Sequence, residues 1–147
     1  MTWLSAIRIY LLWIAAVNLI WEFSHVPLYT IWTEGTLASI VFAVIHCTGG
    51  DALVGGSSLL AALMIAGSSR WPIQNYWPVA AITMAFGLAY TGFSEWLNTS
   101  VRATWAYSEL MPIVPGIGIG LSPIAQWLVI PLTAFWVLSK KRVVPLQ

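Results

Sequence analysis

The segment TLASIVFAVIHCTGGDALVGGSSLLAALMIAG, Thr36 to Gly67, carries one charged side chain, Asp51. A continuous helix over it is roughly 48 Å long at 1.5 Å per residue, against ~30 Å of hydrocarbon in a bilayer. It must therefore tilt strongly, extend beyond the membrane or break. Gly49-Gly50 and Gly55-Gly56 flank Asp51 and mark where a break, a short re-entrant turn or a close helix contact costs least. Two separate spans do not fit, because neither half reaches ~17 residues.

The rest of the chain reads the same way. Hydrophobic residues make up 59% of the sequence and charged ones only 7%, far below the roughly one quarter that covers a soluble domain. Lipid is therefore the expected solvent. Apolar runs over 3–22, 36–67, 78–96 and 119–138 predict an all-α membrane protein, a four-transmembrane-helix bundle forming one domain over 1–147. The first run contains Trp13, Asn18 and Trp21 and ends at Glu22 without a small-residue cleavage pattern, so it reads as a retained span rather than a signal peptide. Pro78 is placed to open the third span, and Pro123 and Pro131 are tolerable kinks in the fourth.

Between the spans, Phe23 to Gly35 reads as an interfacial connection with Tyr29 and Trp32 at headgroup level. In 98–118, Val101, Trp105 and Tyr107 alternate with polar residues. Pro112, Pro115, Gly116, Gly118 and Gly120 then exclude a long regular helix. An irregular outer loop, with a small hairpin, is expected there. Lys140, Lys141 and Arg142 place the C-terminus in the cytoplasm; an even number of spans places the N-terminus there too, with Arg8 beside it and Arg70 in the inner loop. Arg102 dissents, alone in the outer loop with Glu109.

Several function classes drop out. The only basic cluster is the one beside the last span, so nucleic acid is not an expected partner. Cys47 is the single cysteine, which excludes an internal disulfide. Gly116-x-Gly118-x-Gly120 lacks the strand–helix setting of a dinucleotide site, and Ser94, Ser108 and Ser122 have no recognisable nucleophile context.

What remains is a small polar set. Glu22 and His25 are three apart and share a helix face; Thr91, Glu95 and Asn98 repeat at four and three. In an up-and-down bundle the ends carrying Glu22, His25 and Glu95 lie at one membrane level. His46 and Asp51 sit within the second span, where a carboxylate costs on the order of 3 kcal/mol unless paired, hydrated or protonated. These five residues are expected to converge on one interior surface reached from the outer leaflet.

Four chemistries compete for that surface. Glu22, His25, His46 and Glu95, with Asp51 nearby, suit a divalent metal such as zinc, iron or manganese. His46, Asp51 and Glu95 suit acid–base catalysis on a lipid-soluble substrate, with Trp13, Trp21, Trp96 and Trp105 available to stack on a flat or cationic molecule. The bland alternative is structural glue between helices, in a binding or accessory component that contacts lipid, a hydrophobic small molecule, further copies of itself or a larger membrane complex. Transport or proton relay is the fourth, weakened by the lack of an internal repeat.

The stretches Glu22-Phe-Ser-His25-x-Pro27-Leu-Tyr29, His46-Cys-Thr-Gly-Gly-Asp51, Ser94-Glu95-Trp-Leu-Asn98, Trp105-Ala-Tyr107-Ser-Glu109-Leu-Met-Pro112 and Gly120-Leu-Ser-Pro123-x-x-Gln126-Trp127 resemble a group of small four-helix bacterial membrane proteins without an assigned activity. The resemblance covers nearly the whole chain and implies a bacterial inner-membrane location. A much weaker similarity is to the sterol-isomerase and sigma-2-receptor fold. His46 has no Glu four residues on, so that family's catalytic roles do not carry over.

Overall fold

Side chains that change character along one helix face organise the molecule, which is described here from a computed structural model. The structure describes residues 1–141, so Arg142 lies outside the described residues. Helix α1 (Trp3–His25) buries Ala6, Tyr10, Ile14, Asn18, Glu22 and His25, a single stripe at helical spacing that is apolar in its first half and polar in its second. The other long helices are α3 (Leu37–Ala66), α4 (Tyr76–Trp96) and α5 (Leu121–Lys141). They pack as a ring in which α1 meets α3 and α5, and α4 meets the same two.

Local chemistry sets the helix starts. The Thr2 hydroxyl accepts from the Ser5 amide to open α1, and Thr36 accepts from Ser39 to open α3. Helix α1 continues three residues beyond the expected end at Glu22, because Glu22 and His25 bond each other inside the bundle. Helix α3 runs unbroken through both glycine pairs. In an apolar layer a broken helix would strand backbone N–H and C=O groups, a cost larger than the ~1 kcal/mol of each glycine. Gly55 and Gly56 instead admit α1: a Cβ on Gly55 would stand 3.0 Å from Ile14, and one on Gly56 3.2 Å from Leu11. Helix α4 starts two residues before Pro78, with Asn75 in the left-handed conformation. Pro131 lies inside α5 without ending it.

The fold is all-α and mostly helical. Among the described residues three helices, Trp3–Leu28, Leu37–Ala66 and Leu121–Lys141, are long and apolar enough to cross a membrane. Helix α4 matches α5 in length, at 21 residues each. Tyr76, Trp77, Thr83, Tyr90, Thr91 and Glu95 keep it from the same apolarity. Large apolar side chains such as Leu12, Leu53, Met64 and Leu132 point outward, which suits a hydrocarbon surround rather than water.

The bundle has two unlike halves. Where α1 begins and α5 ends, Tyr10, Ile14, Leu59, Ala62, Val79, Ile130, Phe135 and Leu138 form one apolar core closed by Trp71. Arg8, Arg70, Lys140 and Lys141 belong to this end. The opposite half holds the polar ends of α1 and α4, the start of α5 and the first half of α3. A 3₁₀ turn (Val26–Leu28), the short α2 (Ile31–Glu34) and a π-helical turn (Leu97–Val101) close that end. The expected hairpin in the long connection is reduced to a single antiparallel bridge, Ile113 with Gly120. A second bridge pairs Tyr29 with Tyr107, flanked by Thr30 N–H to Ala106 C=O at 3.0 Å and Ser108 N–H to Leu28 C=O at 2.9 Å. The connection is thereby tied down as a cap over the polar half.

Candidate functional site

The polar half is hollow. A cavity of about 730 Å³ lies between the helices and the cap. Glu22, His25, His46, Asp51 and Glu95 all line it, so the five residues expected to converge share one wall system. Their immediate surroundings differ.

Asn18, Glu22 and His25 lie on the buried face of α1. Gln126, buried on α5, aims its amide nitrogen at three oxygens: Asn18 Oδ1 at 2.8 Å, Glu22 Oε1 at 2.9 Å and Asp51 Oδ2 at 2.9 Å. Asn18 in turn donates to the Ile14 carbonyl at 2.7 Å, which fixes its oxygen toward Gln126. The carboxyls of Glu22 and Asp51 also face one another, and the Trp127 indole N–H faces Asp51 without closing a hydrogen bond. Trp127 is held in place by Gly87 of α4, where a Cβ would lie 2.2 Å from the indole.

The other oxygen of Glu22 meets His25 Nε2 at 3.1 Å, while His25 Nδ1 meets the Ser122 hydroxyl at 2.9 Å. A carboxylate only accepts, so Nε2 carries the hydrogen. In the neutral ring Nδ1 then accepts from Ser122. The chain Ser122–His25–Glu22–Asp51 is thus continuous from the start of α5 to the middle of α3.

Glu95 sits across the cavity on α4. Its Oε2 accepts from the Tyr107 hydroxyl at 2.5 Å and the Tyr29 hydroxyl at 3.5 Å, both delivered by the bridged cap. The Trp105 indole N–H faces the same carboxyl without closing a hydrogen bond. Burial pushes the Tyr29 and Tyr107 phenols above their ordinary range, and the neighbouring Glu95 pushes both further. Both phenols therefore stay neutral donors at any physiological pH.

Thr91, one turn before Glu95, lines the cavity at 5% exposure, and its hydroxyl makes no hydrogen bond among the described residues. His46 also departs from the network. It stacks on Phe42, with ring centroids 5.4 Å apart, at the exposed rim.

No family model, curated protein or solved structure matches this chain.

The proposed metal set Glu22, His25, His46 and Glu95 shares the cavity without closing on a point. Among the described residues no three His, Cys, Asp or Glu side chains form a group that could hold an ion. The physical reason is that each is already engaged: Glu22 with His25 and Gln126, Glu95 with the cap tyrosines, His46 with Phe42.

Asn18, Gln126, Thr91, Tyr107 and Ser122 complete the site, and sequence reasoning gave them no role of their own. Asn18 had a usable signal, standing four residues before Glu22 on the same face. Gln126 had a weaker one, as the amide within the fourth apolar run.

Exposed residues line the cavity at two places: Glu34, Gly35 and Thr104 toward the cap, and Phe42, Gly50 and Tyr90 along α3 and α4. Phe42 on α3 is 67% exposed and Tyr90 on α4 is 52% exposed, and both line it. Gly50, two turns further along α3 than Phe42, is also exposed, and a Cβ there would meet nothing within 4 Å. The second of these is a mouth between the first half of α3 and the second half of α4, on the outward surface of the bundle.

Proposed function

We propose that this chain is a four-span protein of the bacterial inner membrane, with both termini cytoplasmic, that binds a lipid-soluble amphiphile in the hollow half of its bundle. α4 serves as the remaining span, with Thr91, Ser94 and Glu95 turned to the cavity. The grouping of Arg8, Arg70, Lys140 and Lys141 at the filled end supports the orientation, since basic residues are retained on the cytoplasmic side. The protein acts as a binding component, alone, as a homo-oligomer or within a larger membrane complex.

The single observation carrying this reading is the cavity itself: about 730 Å³, mostly apolar in its lining, with a few fixed polar groups and with exposed Phe42 and Tyr90 among its walls. Structural glue needs partners in contact, and a filled core supplies them better than a hollow one. A binding site needs the reverse: a concave surface with few, fixed polar groups. Native mass spectrometry of the full chain released from its membrane should show a bound amphiphile at near-unit occupancy. Gly50→Trp, which puts an indole into open space at the mouth, should remove it while the protein still folds. Empty protein from every membrane preparation would end the proposal.

Acid–base chemistry on the bound molecule is a second reading, favoured by one observation: His25 stands hydrogen-bonded between Ser122 and Glu22 while lining the cavity. Chemical change of the bound amphiphile by wild-type protein, abolished in His25→Gln, would support it; recovery of the amphiphile unchanged would remove it.

A further inference from the structure

The hydrogen atoms around Gln126 do not suffice for the oxygens they face. An amide NH₂ has two hydrogens, and Asn18 Oδ1, Glu22 Oε1 and Asp51 Oδ2 all stand within 2.9 Å of the nitrogen. Turning the amide over would set its carbonyl against the same oxygens. Asn18 cannot help, because its own NH₂ is committed to Ile14 and its oxygen must point inward. The deficit closes when one proton rests between the Glu22 and Asp51 carboxyls, which then serve each other.

The surrounding charges give that proton a use. Facing the pair are His25 from α1, His46 and Cys47 from α3, Glu95 from α4, Glu34 from α2 and Tyr29 from the cap; α5 presents only neutral groups. Among the described residues no Lys or Arg lines the cavity. Carboxyls therefore outnumber cationic groups, and the free Thr91 hydroxyl waits for a polar partner beside Glu95. A phosphate-bearing head would find no cation there. An ammonium head would find carboxylates, the Thr91 oxygen and aromatic faces.

Building on the amphiphile-binding reading, we infer that the ligand is a long-chain amine, and that its ammonium head takes the place of the proton held between Glu22 and Asp51. One ammonium enters and one proton leaves, so the charge of the cavity is conserved. The displaced proton passes to bulk water, where the buffer takes it up. Because protons compete with the ligand, affinity rises with pH.

Calorimetry on the full chain in phosphatidylcholine nanodiscs tests this with dodecylamine, which stays protonated through pH 5–8, and with dodecanol as its neutral counterpart. Titration in two buffers of different ionisation enthalpy should show about one proton released per dodecylamine bound. Dodecylamine affinity should rise about tenfold per pH unit wherever a full proton is released, and dodecanol should bind at least tenfold more weakly without proton release. Asp51→Asn should abolish proton release, and Thr91→Val should weaken amine binding severalfold. Equal affinity for amine and alcohol, or amine binding with no proton released by the wild-type protein, would overturn the exchange while leaving the amphiphile site standing. Binding of neither compound would overturn the amphiphile reading as well.

Discussion

Glu22 and Asp51, on helices α1 and α3, each place a carboxyl oxygen 2.9 Å from the amide nitrogen of Gln126 on α5. One neutral side chain thereby joins three helices at the level where the bundle stops being filled and becomes hollow.

Gln126→Leu should be costly out of proportion to its size. It removes an amide whose two hydrogens are shared among two carboxyls and Asn18, and hydrogen bonds to charged groups contribute about 1.5–3 kcal/mol each. A loss of about 2–4 kcal/mol is expected, read as a lowered midpoint in a denaturant or thermal series in mild detergent. A near-neutral result would mean that the three oxygens do not depend on it.

The close approach of α4 and α5 predicts a contrast between glycines. Gly87→Ala drives a methyl into the Trp127 indole and should cost about 1–3 kcal/mol, the range for overpacking. Gly49→Ala meets nothing within 4 Å and should be neutral or slightly stabilising, as alanine is the better helix former. Thermal melts of the two variants side by side decide the matter.

Tyr10 is fully buried in the apolar half, and its hydroxyl has no hydrogen-bond partner among the described residues. Tyr10→Phe keeps the ring contact with Phe135 and removes an unsatisfied polar atom. Stability should rise by about 1 kcal/mol; a clear loss would reveal a partner for that oxygen.

The cap imposes a pH dependence at the alkaline end. Tyr29 and Tyr107 hold their protons more tightly when folded than a free phenol does. Stability from this source is therefore intact below the unfolded phenol value of about 10, and it falls as pH rises beyond it because the unfolded chain ionises first. Ultraviolet titration should show late phenol ionisation in the wild-type chain. The double variant Tyr29→Phe, Tyr107→Phe should lose part of the alkaline fall in stability.

Much of this architecture is legible in the residues. The apolar runs mark the long helices within a few positions, since hydrocarbon thickness and helical rise leave little freedom. The i, i+3 pair Glu22 and His25 and the run Thr91, Glu95, Asn98 announce two polar helix faces. The continuity of α3 is harder to read, because Gly-Gly pairs permit both a break and a close contact, and the choice at Gly55 depends on Ile14 from another helix. Hidden entirely are the bridge between Tyr29 and Tyr107 and the bond from Gln126 to Asn18, which join residues far apart in sequence. Local spacing carries no trace of such pairs. The empty space between helices is equally invisible, since a residue's type does not say whether its neighbours fill the gap beside it.

The central claim is that the polar half is a cavity entered from lipid between α3 and α4. Photo-crosslinking of the full chain in lipid vesicles with a diazirine-bearing alkyl amphiphile, followed by peptide mapping, tests it most directly. The account predicts adducts on Cys47, Tyr90 and Trp127, suppressed by excess unlabelled amphiphile and by Gly50→Trp. Adducts confined to outward-facing residues such as Leu12, Leu53, Met64 and Leu132 would contradict it.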